Sequence, residues 1–198
     1  MRGMGELVLI RHGETEWSRS GRYAGRTDIP LTAEGVAAAR ALAPALARRA
    51  PIAAFTSPLS RAARTAELVG LIGAAPDPDL AKWDYGGHEG LTATQIRSTT
   101  PGWSLWRDGV VPGDTDHPGE DLRHVAARTD AVLTRVRPLL AHGDVALVSH
   151  GHLLRVLTAR WLDLDPSLGQ LFGHLPPGTF SVLGTEDEQP VVSSWNSR

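Results

Sequence analysis

Two histidines in this chain stand in the same setting. Leu7 to Ile10 is a wholly apolar run that ends in Arg11-His12-Gly13, and Val145 to Val148 is another that ends in Ser149-His150-Gly151. An unprotonated imidazole can attack an electrophilic phosphorus as a nucleophile or remove a proton as a base. Arginine supplies a rigid fork of donors that matches phosphate oxygens. Arg11 directly precedes one of the histidines, and Arg61 follows a third apolar run, Ile52 to Thr56, in a segment opened by Ser57-Pro58. A cup built from His12, His150, Arg11 and Arg61 suits a phosphoryl group, and glycine after each histidine, at Gly13 and Gly151, lets backbone come close to a ligand. Each histidine taken alone reads as a hydrogen-bonded strand-end residue; the repeated context favours the site. A metal centre on His12, His150 and His152 is the rival, but no cysteine and no carboxylate pair stands beside them at ligand spacing. Neither a metal nor a cofactor is therefore expected.

The elements that must position these residues alternate. The apolar runs read as buried strands, each entering a polar loop. Thr32 opens an Ala-rich helical segment in which Pro44 predicts a kink or an early end. Ser57 reads as an N-cap, with Pro58 at the first helical position of the helix carrying Arg61 and Arg64. Asp121 to Leu140 has the spacing of a long amphipathic helix that stops near Pro138 and Gly143, and a helix follows His150 directly. Two further strands are predicted at Thr179 to Leu183 and Val191 to Trp195. Residues 76–120, rich in Gly, Pro, Trp and Asp, read as an inserted lid with short helices near Thr94 to Ser98 and Trp106. This order predicts an α/β protein, a three-layer α/β/α sandwich around a mainly parallel sheet, with the site beyond the carboxyl ends of the strands. If the two histidine strands are neighbours, their imidazoles lie side by side there.

Composition narrows the class. A chain of 198 residues, 41% of them hydrophobic, supports one sizeable core, so residues 1–198 are read as a single domain. A net charge of -2 gives no global reason to expect nucleic acid or an anionic membrane as a partner. There are no cysteines, which fits the cytoplasm. The apolar run near the N-terminus is too short for a signal segment. The expected partner is a small phosphorylated substrate, and a homodimer is left open.

The segments RHGETEW (Arg11 to Trp17), GRYAGRTDIPLTAEG (Gly21 to Gly35), SPLSRAARTAE (Ser57 to Glu67), WDYGGHEGLT (Trp83 to Thr92) and VSHGHLLR (Val148 to Arg155) occur in that order. Together they resemble the histidine phosphatase superfamily, the phosphoglycerate mutase-like group, along most of the chain. The resemblance implies that His12 is the residue phosphorylated, that Arg11, Arg61 and His150 form the phosphate pocket, and that no metal is needed. Within the group, mutases carry a basic pair in the lid, and no adjacent Arg-Arg pair occurs between residues 90 and 130. The segment WDYGGHEGLTATQI with WSLWRDG resembles the acid phosphatase and sugar-bisphosphatase branch, which implies sugar phosphates or similar small monoesters as substrates. The alternatives are a mutase-type phosphotransferase and a phosphate-binding module of low activity.

One position departs from that branch. Its members carry a glutamate directly before WDYG as the proton donor, and this chain has Lys82, its only lysine, at that place. Three readings stand. Lys82 itself donates, its pKa lowered by Arg11 and Arg61; Asp84 substitutes, since residues two apart in an extended stretch face the same side; or turnover is impaired while phosphate binding survives, through natural divergence or an engineered change. Glu89 is a weaker candidate for the acid and Glu120, in a Gly119-Glu120-Asp121 element, for the pocket. Trp103 and Trp106 read as packing residues.

Overall fold

The computed structural model describes residues 5–198, so the first four residues of the N-terminal stretch and of the expected single domain lie outside it. The chain forms β1 (Leu7–Arg11), α1 (Glu16–Arg19), α2 (Ala33–Arg49), β2 (Ala53–Thr56), α3 (Ser60–Leu68), β3 (Ala75–Pro76), α4 (Ala93–Thr99), α5 (Leu105–Asp108), α6 (Leu122–Val136), β4 (Val145–Ser149), α7 (Gly151–Trp161), β5 (Phe180–Glu186) and β6 (Gln189–Ser197). The six strands make one sheet in the order β3-β2-β4-β1-β5-β6. The first four run parallel, whereas β5 joins β1 antiparallel and β6 closes the edge against β5. The final two strands thus account for the antiparallel part of a mainly parallel sheet.

Strand alternation divides the core into two layers. Leu7 and Leu9 of β1, with Val145 and Leu147 of β4, face α6, α7 and residues of the 76–120 segment. Val8, Ile10, Ala146 and Val148 face α2 and α3. Both strands are buried on both sides, which is why they read as unbroken apolar runs. Burying each such side chain stabilises the fold by about 1.5–3 kcal/mol before entropy is counted.

Three local expectations change. Helix α2 continues through Pro44, because the backbone bond lost to Arg40 falls where both residues are exposed. Helix α3 begins later than Pro58: Leu59 is its N-cap without a side-chain bond, and Asp28 from a distant loop receives the Ser60 amide at 3.0 Å. Ser57 Oγ accepts the Leu59 amide at 3.3 Å ahead of the helix and also lies 2.8 Å from His150 Nε2. The lid expectation is corrected too. Leu80, Trp83, Tyr85, Ile96, Trp103 and Leu105 are buried in the same cluster as β1 and β4, so the segment builds the core rather than hanging over it. Among the described residues, no helix is long and apolar enough to cross a membrane.

Because Leu147 is fully enclosed between the parallel neighbours of β4, Leu147→Ala should lower the unfolding free energy by about 2–5 kcal/mol in urea titration; a loss below about 1 kcal/mol would place β4 outside the core.

Candidate active site

Parallel pairing of β1 with β4 sets Arg11 opposite Ser149, so the next residue of each chain segment is a histidine at the carboxyl edge. The His12 amide bonds the Ser149 carbonyl at 3.0 Å, and the His12 and His150 rings meet edge to face with centroids 4.9 Å apart. Both imidazoles are buried. His12 Nδ1 lies 2.7 Å from the carbonyl oxygen of Gly13, its own neighbour. A carbonyl can only accept, so Nδ1 carries the proton and Nε2 is left with the lone pair. Burial, then the charges of Arg11 and Arg61, push the His12 pKa well below the ordinary histidine value, so the ring is neutral at pH 7.

The two glycines stand in different surroundings. A methyl group on Gly13 would stand 2.4 Å from the carbonyl oxygen of Gly35 at the start of α2, so the loop after His12 can cross that helix only without a side chain. At Gly151, the first residue of α7, a methyl would meet the Arg11 guanidinium at 3.4 Å. That is ordinary van der Waals contact, so space alone does not require glycine there; Gly151 lines a small space adjoining the site beside Arg11 and Lys82.

The arginines are anchored by backbone carbonyls. Arg61 donates to Thr27 O at 2.9 Å and Gly25 O at 3.0 Å, and Arg11 donates to Leu175 O and approaches His174 Nε2 at 3.3 Å. Burial first, then neighbouring cations, lower the Arg11 pKa to about 10, which leaves it charged at neutral pH. His150 Nε2 is 2.8 Å from Ser57 Oγ, while its buried Nδ1 and the buried Nε of Arg11 have no hydrogen-bond partner. A buried polar atom left unpaired costs about 1–3 kcal/mol, and of the two residues Arg11 lines the cavity, where an anion beside His12 meets its guanidinium, whereas His150 lies outside the lining.

A cavity of about 200 Å³ opens onto His12 between Arg11, Arg22, Arg61 and Lys82, with Tyr23, Tyr85, His152 and His174 completing its wall. None of its lining residues, all of them described, is a carboxylic acid. A larger groove of about 620 Å³ beside the start of β2 is lined by alanine and aliphatic side chains without a titratable group, so it offers no chemistry.

Lys82 reaches this cavity, its Nζ standing 5.0 Å over the Tyr85 ring. Burial, Arg11 and Arg61 hold its pKa well below the usual lysine range. The expectation that Asp84 shares the same face is corrected. Its carboxylate is buried, accepts the Gly86 amide at 3.0 Å and lies 3.0 Å from Arg26 Nε, outside the cavity lining. The extended stretch ends at Tyr85, where the chain turns into a short 3₁₀ segment, so the alternation rule does not carry Asp84 into the site. Glu120 is also elsewhere: it pairs with Arg128 at 2.7 Å, and its carbonyl receives the Trp83 indole proton at 2.7 Å. Trp103 and Trp106 pack as expected, the latter beneath the Arg155 guanidinium at 4.7 Å.

Glu89 does matter, but from outside. Its carboxylate receives the amides of Gly25 at 2.8 Å and Thr27 at 3.2 Å, fixing the loop whose carbonyls hold Arg61. Tyr23, Arg22, His152, Tyr85 and His174 were not singled out as cavity residues from the sequence. Only His152 had a signal, its position two residues after His150; its Nδ1 meets the Tyr85 hydroxyl at 2.5 Å, which draws it away from a shared metal site. Among the described residues, no three His, Cys, Asp or Glu side chains are grouped to hold a metal ion.

Residues 7–198 match the model of the histidine phosphatase superfamily (branch 1), and the chain belongs to that family. It is 36% identical over 183 residues to an acid phosphatase of Mycobacterium tuberculosis, covering 91% of this chain and 86% of that protein. Identity to the sedoheptulose 1,7-bisphosphatase of Saccharomyces cerevisiae is 31%, over 79% of this chain and 67% of the yeast enzyme. Among solved structures, that of a Mycobacterium tuberculosis open reading frame superposes with a TM-score of 0.90 at 33% identity, covering 98% of this chain and 97% of that one. A mycobacterial glucosyl-3-phosphoglycerate phosphatase solved with VO3 gives 0.84 at 28% identity, over 98% and 100% of the two chains.

Two outcomes are expected from this geometry. Glu89→Ala should free the Gly25–Thr27 loop and weaken inorganic phosphate binding about tenfold by calorimetry, through Arg61; unchanged affinity would show that Arg61 is held without it. His12, His150 and His152 all have pKa values depressed by burial, so the unfolded chain takes up protons first as pH falls below about 6.5. Stability contributed by these neutral rings is complete above that value and is lost on acidification, by up to about 1.4 kcal/mol per ring per pH unit. Urea unfolding at pH 7.5, 6.0 and 5.0 should show the decline, and flat stability would contradict it.

Proposed function

We propose that the chain is a metal-independent phosphatase that hydrolyses small phosphate esters through a phosphohistidine on His12. The observation that carries this reading is the fixed tautomer of His12: Nδ1 is committed to the Gly13 carbonyl, so Nε2 presents its lone pair toward a cavity lined by cations. Arg11 and Arg61 line the cavity beside His12 and offset the charge on the oxygens of the transferred phosphoryl group, while His150 packs edge to face on His12 outside the cavity lining. Nε2 attacks phosphorus, and the leaving oxygen departs with its bonding electrons. Water then attacks the phosphohistidine, the P–N electron pair returns to Nε2, and the two protons of the water leave on the phosphate as H₂PO₄⁻.

Names given to relatives support hydrolysis: acid phosphatase, sedoheptulose 1,7-bisphosphatase and a metal-independent phosphoserine phosphatase from Arabidopsis thaliana. Beyond Arg11 and Arg61 the cavity holds Arg22 and Lys82, but the basic pair expected of a mutase in the middle segment is missing. Arg97, Arg107, Arg123 and Arg128 of the middle segment and α6 all lie outside the cavity lining, and Arg107 and Arg128 are paired with Asp108 and Glu120. The cavity suits a small substrate, and a chain without cysteine is compatible with a reducing compartment such as the cytoplasm.

In chelator, the protein should hydrolyse an aryl phosphate and yield an acid-labile phosphoenzyme on rapid quenching. His12→Ala should abolish the labelling and lower turnover by about 10⁴-fold or more; activity surviving that change would remove His12 from the reaction.

A further inference from the structure

A phosphatase that cleaves alkyl esters needs an acid beside the leaving oxygen, because an alkoxide departs too slowly unprotonated. Here the nearby carboxylates are committed to other partners: Asp84 to Gly86 and Arg26, Glu89 to Gly25 and Thr27, Glu14 to Arg19 at 2.6 Å. The Tyr85 hydroxyl faces His152. What the cavity offers instead is Lys82. It lies on the wall shared by the cavity containing His12 and an adjoining space of about 70 Å³, and that second space is bounded by Arg155. Arg155 is buried and oriented by the carbonyls of Gly169 at 3.0 Å and Gln170 at 2.7 Å. Two anion-favouring compartments, one with the nucleophile and one without, thus meet at a cation.

We propose that the site is built to expel an anion, and that among the small phosphorylated compounds it hydrolyses it prefers phosphoanhydrides, in which the departing oxygen belongs to a second phosphate held by Lys82 and Arg155. This rests on the phosphohistidine reading and names its leaving group. The step balances without an acid: His12 Nε2 bonds to the terminal phosphorus, the P–O bridge breaks, and its electron pair stays on the departing phosphate, which is an anion at neutral pH. In the complex the charge of the second phosphate offsets the burial and neighbouring cations that lower the Lys82 pKa in the free protein, so Lys82 holds the leaving group as an ammonium and keeps its proton. Between two phosphates it gains attraction as charge moves onto the leaving oxygen, whereas donating the proton would forfeit that attraction at the same moment.

The test compares inorganic pyrophosphate, 4-nitrophenyl phosphate and glycerol 3-phosphate in chelator. Wild-type kcat/KM for pyrophosphate should exceed that for glycerol 3-phosphate by about 100-fold or more, the scale of a missing general acid. Lys82→Glu should reverse the preference, raising the alkyl ester and lowering pyrophosphate by about tenfold or more each. Lys82→Met, similar in length and uncharged, should lower pyrophosphate hydrolysis about tenfold should the charge reversal prevent folding. The inference is overturned if the wild type cleaves the alkyl ester within about tenfold of pyrophosphate, as a proton donated by Lys82 or Tyr85 would allow. Unchanged pyrophosphate turnover in Lys82→Met overturns it as well. Both outcomes, with 4-nitrophenyl phosphate still cleaved, leave the phosphohistidine reading standing; a protein inert toward all three and unlabelled at His12 overturns both.

Discussion

The contact between His12 Nδ1 and the Gly13 carbonyl decides what the rest of the site can do. It fixes the tautomer with a group that cannot itself ionise, so the nucleophile needs no acidic partner. The carbonyl must then be held in place, and much of the local structure serves that end. The Gly13 amide donates to Thr65 Oγ at 3.1 Å, and Thr65 in turn donates to the Arg61 carbonyl at 2.6 Å, so helix α3 holds both the nucleophile's loop and a phosphate-binding arginine. Gly13 and Gly35 permit the close crossing of α2 that closes the loop from the other side.

The same economy of charge runs through the cup. Arg11 and Arg155 are oriented by backbone carbonyls, which align a guanidinium without cancelling its charge, and Arg61 is held the same way with the Asp28 carboxylate 3.6 Å from one edge. Asp84, Glu89 and Glu120 lie close in sequence but act as braces on the backbone or on outlying arginines. Burying these cations is costly in the free protein, as the lowered pKa values of Arg11, Arg61 and Lys82 register; neighbouring cations add to the shifts of Arg11 and Lys82, whereas Asp28 opposes that of Arg61. A polyanionic ligand relieves that repulsion, so affinity and strain are two sides of one arrangement.

Much of this was legible in the sequence because strands advertise themselves. The two apolar runs ending in His-Gly predict adjacent parallel strands, and the observed register sets His12 beside His150. The failures have physical causes. Ser57-Pro58 has the residue types of a helix start, but the side chain is shared between the Leu59 amide and His150, and the helix is capped by Asp28 through tertiary contact. Asp84 was placed by alternation, which ends where the backbone turns at Tyr85. The middle segment reads as a lid from its Gly and Pro content, yet its Trp and Leu side chains fill the core under α6 and α7. Tyr23 and His174 reach the cavity from loops distant in sequence, where no local pattern could place them.

The central claim is that His12 is a neutral imidazole with its proton on Nδ1 and a free Nε2. Nitrogen NMR of the protein labelled at histidine, with His12→Ala used to assign the signal, tests this most directly. The account predicts that at pH 7, and still at pH 6, the His12 ring shows a protonated Nδ1 and an unprotonated Nε2. An imidazolium at pH 7, or a proton on Nε2, would contradict it.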